Sequence, residues 1–396
     1  MLRVATAEVL GVSGEENGWQ TLSIRHLGSG AIGQAFCYWR ETGRCRAGER
    51  VLINTTAGVL GLGTGGYHFV IGRLEQAGET DLYPTAWGHI VKMRYSPLQL
   101  AVDAVEEQNS PHHALFVNDA LTLEGTPVLI GELHSLLPLL VLALKQREPD
   151  RSLVYIMPDG AALPILVSRH VRTLRRLGLL KATVTTGQAW GGDLEAVNLH
   201  TGLLAAKWVA KGDLLLCLLG PGVAGTGTPL GFSGMQLAEV IHAVSLLGGI
   251  PIVVPRISFS DPRPRHQGMS HHTRTVLKRF TLRPVMLPVP RFGDDRDALL
   301  EAQESEDRME ARHLRVVLDA PSLAEMESLQ ASYPLPLATM GRTLADDPSP
   351  FQAAFLAAEV ALQAVSRGAP PSVWSPCLGA EAILAAFRSF WTCGEA

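Results

Sequence analysis

The stretch Leu214-Leu-Leu-Cys-Leu-Leu-Gly-Pro-Gly-Val-Ala-Gly-Thr-Gly-Thr228 decides how most of this chain folds. Six apolar residues in a row leave no polar face to turn to water, so they read as a strand buried on both sides that ends in a glycine-rich loop. Strands of that kind belong to parallel sheets with helices on both faces. Outward from it lie similar short runs at residues 128–132, 153–157, 182–186, 250–255, 284–287, 315–318 and 335–339, alternating with helical stretches. This alternation predicts β-α units. Eight such runs fit either an open, doubly wound, Rossmann-like sheet or a closed eight-unit β/α barrel. The open sheet is preferred, because the last two runs are short, proline-flanked and poor in β-branched residues, as edge strands are. In either architecture ligands bind beyond the carboxyl ends of the strands.

Residues 2–96 have another texture. Segments 19–25, 34–39, 50–55 and 67–74 are rich in Val, Ile, Thr and aromatics and are parted by Gly and Asn. They predict antiparallel strands in a small barrel or sandwich. A length of 396 residues suits two cores better than one. The expected division is a β-rich domain at 1–111, a connection at 112–125 and an α/β domain at 126–396.

A formal charge of −4 creates no global field towards nucleic acid or anionic lipid. Cys37, Cys45, Cys217, Cys377 and Cys393 are odd in number and form no C-x-x-C pair, which speaks against a disulfide framework and a thiolate zinc site. With no secretory signal at the N-terminus, the expected location is the cytoplasm. Residues 136–144 are strongly apolar, but Pro138 interrupts them and they fall short of the roughly 20 residues of a membrane span. They predict a buried helix or, alternatively, a contact within a homo-oligomer.

Gly220, Gly222 and Gly225 fit G-x-G-x-x-G, and Thr226, Gly227 and Thr228 extend the run with two hydroxyls. Free backbone N–H groups in such a loop can cradle a phosphate or carboxylate. A dinucleotide fingerprint needs a helix to begin inside the motif, whereas Pro229 and Gly231 to Gly234 delay it. No Gly-Lys-Ser/Thr closes a P-loop. The loop therefore reads as an anion cradle or as a purely structural turn. Gly61, Gly63 and Gly66 repeat the pattern, but a strand follows them, so a hairpin is expected there and His68 reads as a strand residue.

The richest segment is 256–273, which holds Asp261, Arg263, Arg265, His266, His271 and His272 between a strand and a helix. Ser270 can cap a helix starting at His271. Arg263 and Arg265 supply forked donors for an anion, unless they merely pair with surface acids. Three histidines with Asp261 also raise a divalent metal, held by His271, His272 and Asp261, although the spacing is not H-E-x-x-H. His266 or His271, together with Asp261, could equally act in acid-base catalysis. Asp159 and Asp193 follow other strands and could join them, or simply cap helices, with Leu194 starting one. No G-x-S-x-G elbow supports a hydrolase triad.

The chain resembles the bacterial family called domain of unknown function 3866. The resemblance rests on 61–70, Lys92-Met-Arg-Tyr-Ser-Pro97, Glu106-Glu-Gln-Asn-Ser-Pro111, Met157-Pro-Asp-Gly160, 187–193, 220–228, 256–273 and Thr339-Met-Gly-Arg342. It implies no catalytic assignment. Gln188 and Trp190 stand where that family favours His and Phe, so position 188 receives no role.

The functional expectation is binding of a small anionic metabolite, by an enzyme of hydrolase or transferase type or by a non-catalytic ligand sensor. Nucleic-acid binding is a third reading, opposed by an aromatic content of 6% and the acidic balance.

Overall fold

In the computed structural model, which describes residues 1–61, 65–75, 82–368 and 379–392, the chain divides into two units, Met1–Asp103 and Ala104–Ala396. The middle of the 61–66 glycine motif, the proline-rich tail after Gly368, Cys377 and Cys393 lie outside the described residues. The helix His113–Phe116, in the stretch read as a connection, falls within the second unit.

The first unit is a closed barrel of β1 (Val4–Glu16), β2 (Trp19–His26), β3 (Ile32–Cys37), β4 (Arg50–Asn54) and β5 (His68–Arg73), in the order β1-β2-β3-β5-β4. Alternation puts Ala7, Val9, Leu22, Ile24, Ala35, Cys37, Val51 and Ile53 inside. Register shifts between Val9 and Gly11 and between Val12 and Gly14 bend β1 enough to pair with both β2 and β4. The result is a five-stranded Greek-key barrel of the OB kind. A hairpin of β6 (Ile90–Lys92) and β7 (Leu100–Val102) follows.

The second unit is built on β8 (Pro127–Gly131), β9 (Leu153–Met157), β10 (Ala182–Thr185), β11 (Leu194–Glu195), β12 (Leu214–Leu218), β13 (Ile250–Val254), β16 (Met286–Arg291) and β17 (Leu314–Asp319). They form one open parallel sheet in the order β11-β10-β9-β12-β8-β13-β16-β17. Leu153, Tyr155 and Met157 of β9 join the core on one face, while Val154 and Ile156 join the core on the other. Residues buried on both faces explain the unbroken apolar runs. Helices Leu137–Arg147 and Ser349–Arg367 cover the first face and Leu237–Leu246 the second. Among the described residues, no helix is long and apolar enough to cross a membrane.

Two local expectations are corrected. The run at 335–339 does not join the sheet; only β18 (Ala338–Thr339) is extended, and it pairs antiparallel with β19 (Arg342–Thr343). Pro334 and Pro336 remove ladder donors, and Met340 and Gly341 take positive φ values of 51° and 79° to reverse the chain. The eighth sheet strand is β11, where a helix had been expected to start, so Asp193 caps nothing. The next helix, Leu199–Leu204, is capped by Asn198.

The strand order creates a switch point. From β8 the chain moves to one side through β9, β10 and β11, returns as β12 beside β8, and continues to the other side through β13, β16 and β17. Loops leaving β12, β8 and β13 start there, at the place where sheets of this kind take ligands.

Candidate functional site

Each central strand delivers one part of the site. Glu132 follows β8 and is buried. Arg256 follows β13, is also buried, and its Nη1 donates to Glu132 Oε1 at 3.2 Å. The chain then forms a small hairpin of β14 (Ile257–Ser258) and β15 (Gly268–Met269), which carries the intervening charged loop and returns at Ser270. Ser270 Oγ accepts from His272 N and so starts the helix His271–Thr275, as expected.

That hairpin and cap bring three imidazoles together. His266, His271 and His272 each offer a ring nitrogen, and these nitrogens lie within 4.8 Å of one another. His266 Nδ1 shares a hydrogen bond with Ser270 Oγ at 2.7 Å, and His272 Nδ1 with Glu132 Oε1 at 2.6 Å. Nε2 of both rings is therefore the uncommitted nitrogen. His271 Nε2 is buried without a partner. Phe232 stacks on His272 with centroids 3.8 Å apart and planes 1° from parallel, which fixes that ring. Burial, reinforced by Arg256 and Arg263, pushes the His266 pKa down to about 3. Burial, with help from His272 and Arg265, pushes His271 down to about 4. Both are neutral at pH 7.

The 220–228 loop reaches the same place. A Cβ built on Gly225 would stand 3.8 Å from His272 Cε1, and one on Gly227 would stand 3.9 Å from Arg265 Nη2. No helix begins inside the motif; a short 3-10 turn, Ser233–Gln236, precedes helix Leu237–Leu246. The Thr226 and Thr228 hydroxyls bond each other and Gly231, so they close the loop upon itself. Gly220 packs against Ala162 and Met157, whereas Gly222 adopts φ 87° beside open space.

The remaining candidates separate. Arg263 is tied to the fully buried Asp261 by a two-pronged interaction at 2.9 and 2.8 Å, and Arg342 adds a third bond at 3.3 Å. The Arg263 guanidinium holds the Asp261 carboxyl below its usual range. Asp261 therefore anchors the loop, and His266 takes the place in the imidazole cluster that had been expected for it. Arg265 is exposed and, among the described residues, forms no ion pair. Asp159, after β9, accepts from Gln188 N and Gln236 Nε2 and touches none of the histidines. Asp193 lies at the β10-β11 edge, bonded to Arg175 and Thr183, apart from the cluster.

Glu132, Phe232 and the pairing role of Arg256 were not anticipated. Glu132 carried a readable signal, a lone acid closing an otherwise apolar run. Phe232, 40 residues before His272 in the chain, carried none.

Fold and site together define a two-unit protein: a closed five-stranded barrel, then a parallel α/β sheet whose switch point gathers a Glu-His-Arg cluster. Residues 34–358 match the model of a family described as "Protein of unknown function (DUF3866)", and the chain belongs to that family. No curated protein and no solved structure matches it.

Proposed function

We propose that this protein binds a small phosphate- or carboxylate-bearing metabolite in the crevice between the 220–228 loop and the His266/His271/His272 cluster. The observation that carries this reading is the approach of Gly225 and Gly227 to His272 and Arg265, which sets exposed backbone and an uncommitted guanidinium against the imidazoles. Arg265 supplies the forked positive donor, and Gly222 and Gly227 leave the loop amides free of Cβ cover. Arg256 is already neutralised by Glu132, so it adds structure more than ligand charge.

Imidazoles with pKa values of about 3 and about 4 are weak bases at neutral pH, so they would serve as acceptors or ligands more readily than as proton donors. The reading accommodates an enzyme or a sensor, and turnover separates them. The test is thermal stabilisation by inorganic phosphate, pyrophosphate and small dicarboxylates, since a ligand that binds only the native state raises its melting temperature. Concentration-dependent stabilisation is expected, with loss of the response in Arg265→Ala. An identical response in that variant would move the anion elsewhere.

A further inference from the structure

We propose that His266, His271 and His272 form a site for one divalent transition-metal ion of the zinc class, with Glu132 as the carboxylate that orients His272. The inference rests on the crevice reading above but concerns a separate ligand. Three imidazoles converge, two of them with Nδ1 already bonded and Nε2 uncommitted, while His271 Nε2 is buried with no partner at all. A buried polar nitrogen without a partner costs stability unless something satisfies it.

The surroundings match what metal histidines require. Ligating imidazoles usually donate their other ring N–H to a carboxylate or another acceptor, which fixes tautomer and direction; Glu132 and Ser270 play these parts. Neutral imidazole suits zinc, copper, iron or nickel and not magnesium or calcium, which take oxygen ligands. Around a tetrahedral ion with bonds of roughly 2.0–2.1 Å, nitrogens stand about 3.3 Å apart. Nitrogens now within 4.8 Å therefore stand at most about 1.5 Å further apart than a bound ion would hold them. Arg256 opposes a cation, but its charge is paired with Glu132 at 3.2 Å. Three protein ligands leave a position open, as in catalytic zinc sites. Arg265 and the glycine loop border the cluster, so that position would receive water or an oxygen of the anion.

The experiment uses the whole chain, stripped by chelator and titrated with zinc chloride in phosphate-free buffer by calorimetry. One ion per chain is expected, with binding abolished in His271→Ala and His272→Ala. Glu132→Gln should weaken it about 10–100-fold. Cobalt(II) added to the unmutated chain should give the visible absorption of a four-coordinate site, a readout that needs no variant to fold. No saturable zinc binding by the unmutated chain, or undiminished binding in a folded His271→Ala protein, overturns the proposal. Phosphate stabilisation measured in chelator tests the anion reading alone: if it persists while zinc fails to bind, only the metal site falls. If zinc binds and phosphate does not, the metal site stands and the anion reading falls.

Discussion

Glu132 and Asp193 are both acids beside parallel strands of one sheet, yet their fates are opposite. Glu132 stands after the central β8, buried, between Arg256 and His272. Asp193 stands at the outer β10-β11 edge, its side chain 39% exposed, satisfied by Arg175 and Thr183 nearby. Glu132 follows the carboxyl end of β8, whereas Asp193 precedes β11 and bonds Thr183 at the start of β10, so which end of which strand carries an acid decides whether it reaches the imidazole cluster. The loops after β8, β12 and β13 at the switch point supply Glu132, Phe232 and Arg256 to that cluster.

The comparison can be broken most directly by removing each acid. Glu132→Ala leaves Arg256 buried beside a carboxylate no nearer than Asp261 at 3.9 Å, and should cost about 3–5 kcal/mol by chemical denaturation. Asp193→Ala should cost about 1 kcal/mol or less, being a half-exposed set of bonds. Equal losses would mean that sheet position does not govern the two sites.

A second contrast at the end of β8 is sharpened by pH. His134, two residues after Glu132, is buried against Ser168 and Tyr155, and burial pushes its pKa down to about 3. The unfolded chain takes up that proton near pH 6.5, whereas the folded chain refuses it until about pH 3. Stability is therefore full above about 6.5 and declines as pH falls towards 3, by about 2 kcal/mol at pH 5 for this histidine. His134→Asn should flatten the stability-pH curve over that window, and an unchanged slope would contradict the assignment.

Arg263 and Arg265 repeat the lesson at a smaller scale, two residues apart in one loop. Arg263→Ala removes a two-pronged partner of buried Asp261 and should cost about 2 kcal/mol, with the phosphate response kept. Arg265→Ala should change stability by less than about 0.5 kcal/mol yet abolish the phosphate response. The reverse pattern would exchange their roles.

Much of this molecule can be read without coordinates. Runs such as 128–131, 153–157 and 214–218 are short and apolar at every position, as a strand covered on both faces requires. Alternation in 19–25 and 50–54 likewise requires a sheet with one buried face. The Ser270 cap was legible because a hydroxyl before a helix has a local task. The two-residue strand β11 was not legible, since Leu194 and Glu195 have no pattern of their own and become a strand only because β10 offers a free edge. The run at 335–339 failed for the converse reason, its prolines and positive-φ turn outweighing its apolar residues.

For the candidate site, sequence alone determined which residue types were on offer: a glycine loop, the arginines Arg263 and Arg265, and a cluster of histidines within seven positions. Tertiary structure decided which of them meet, because contacts such as Glu132 with His272, 140 residues apart, depend on the order in which strands pair. That order is set by how whole faces of the sheet bury themselves against helices, a property of the assembled core that no local stretch of chain encodes.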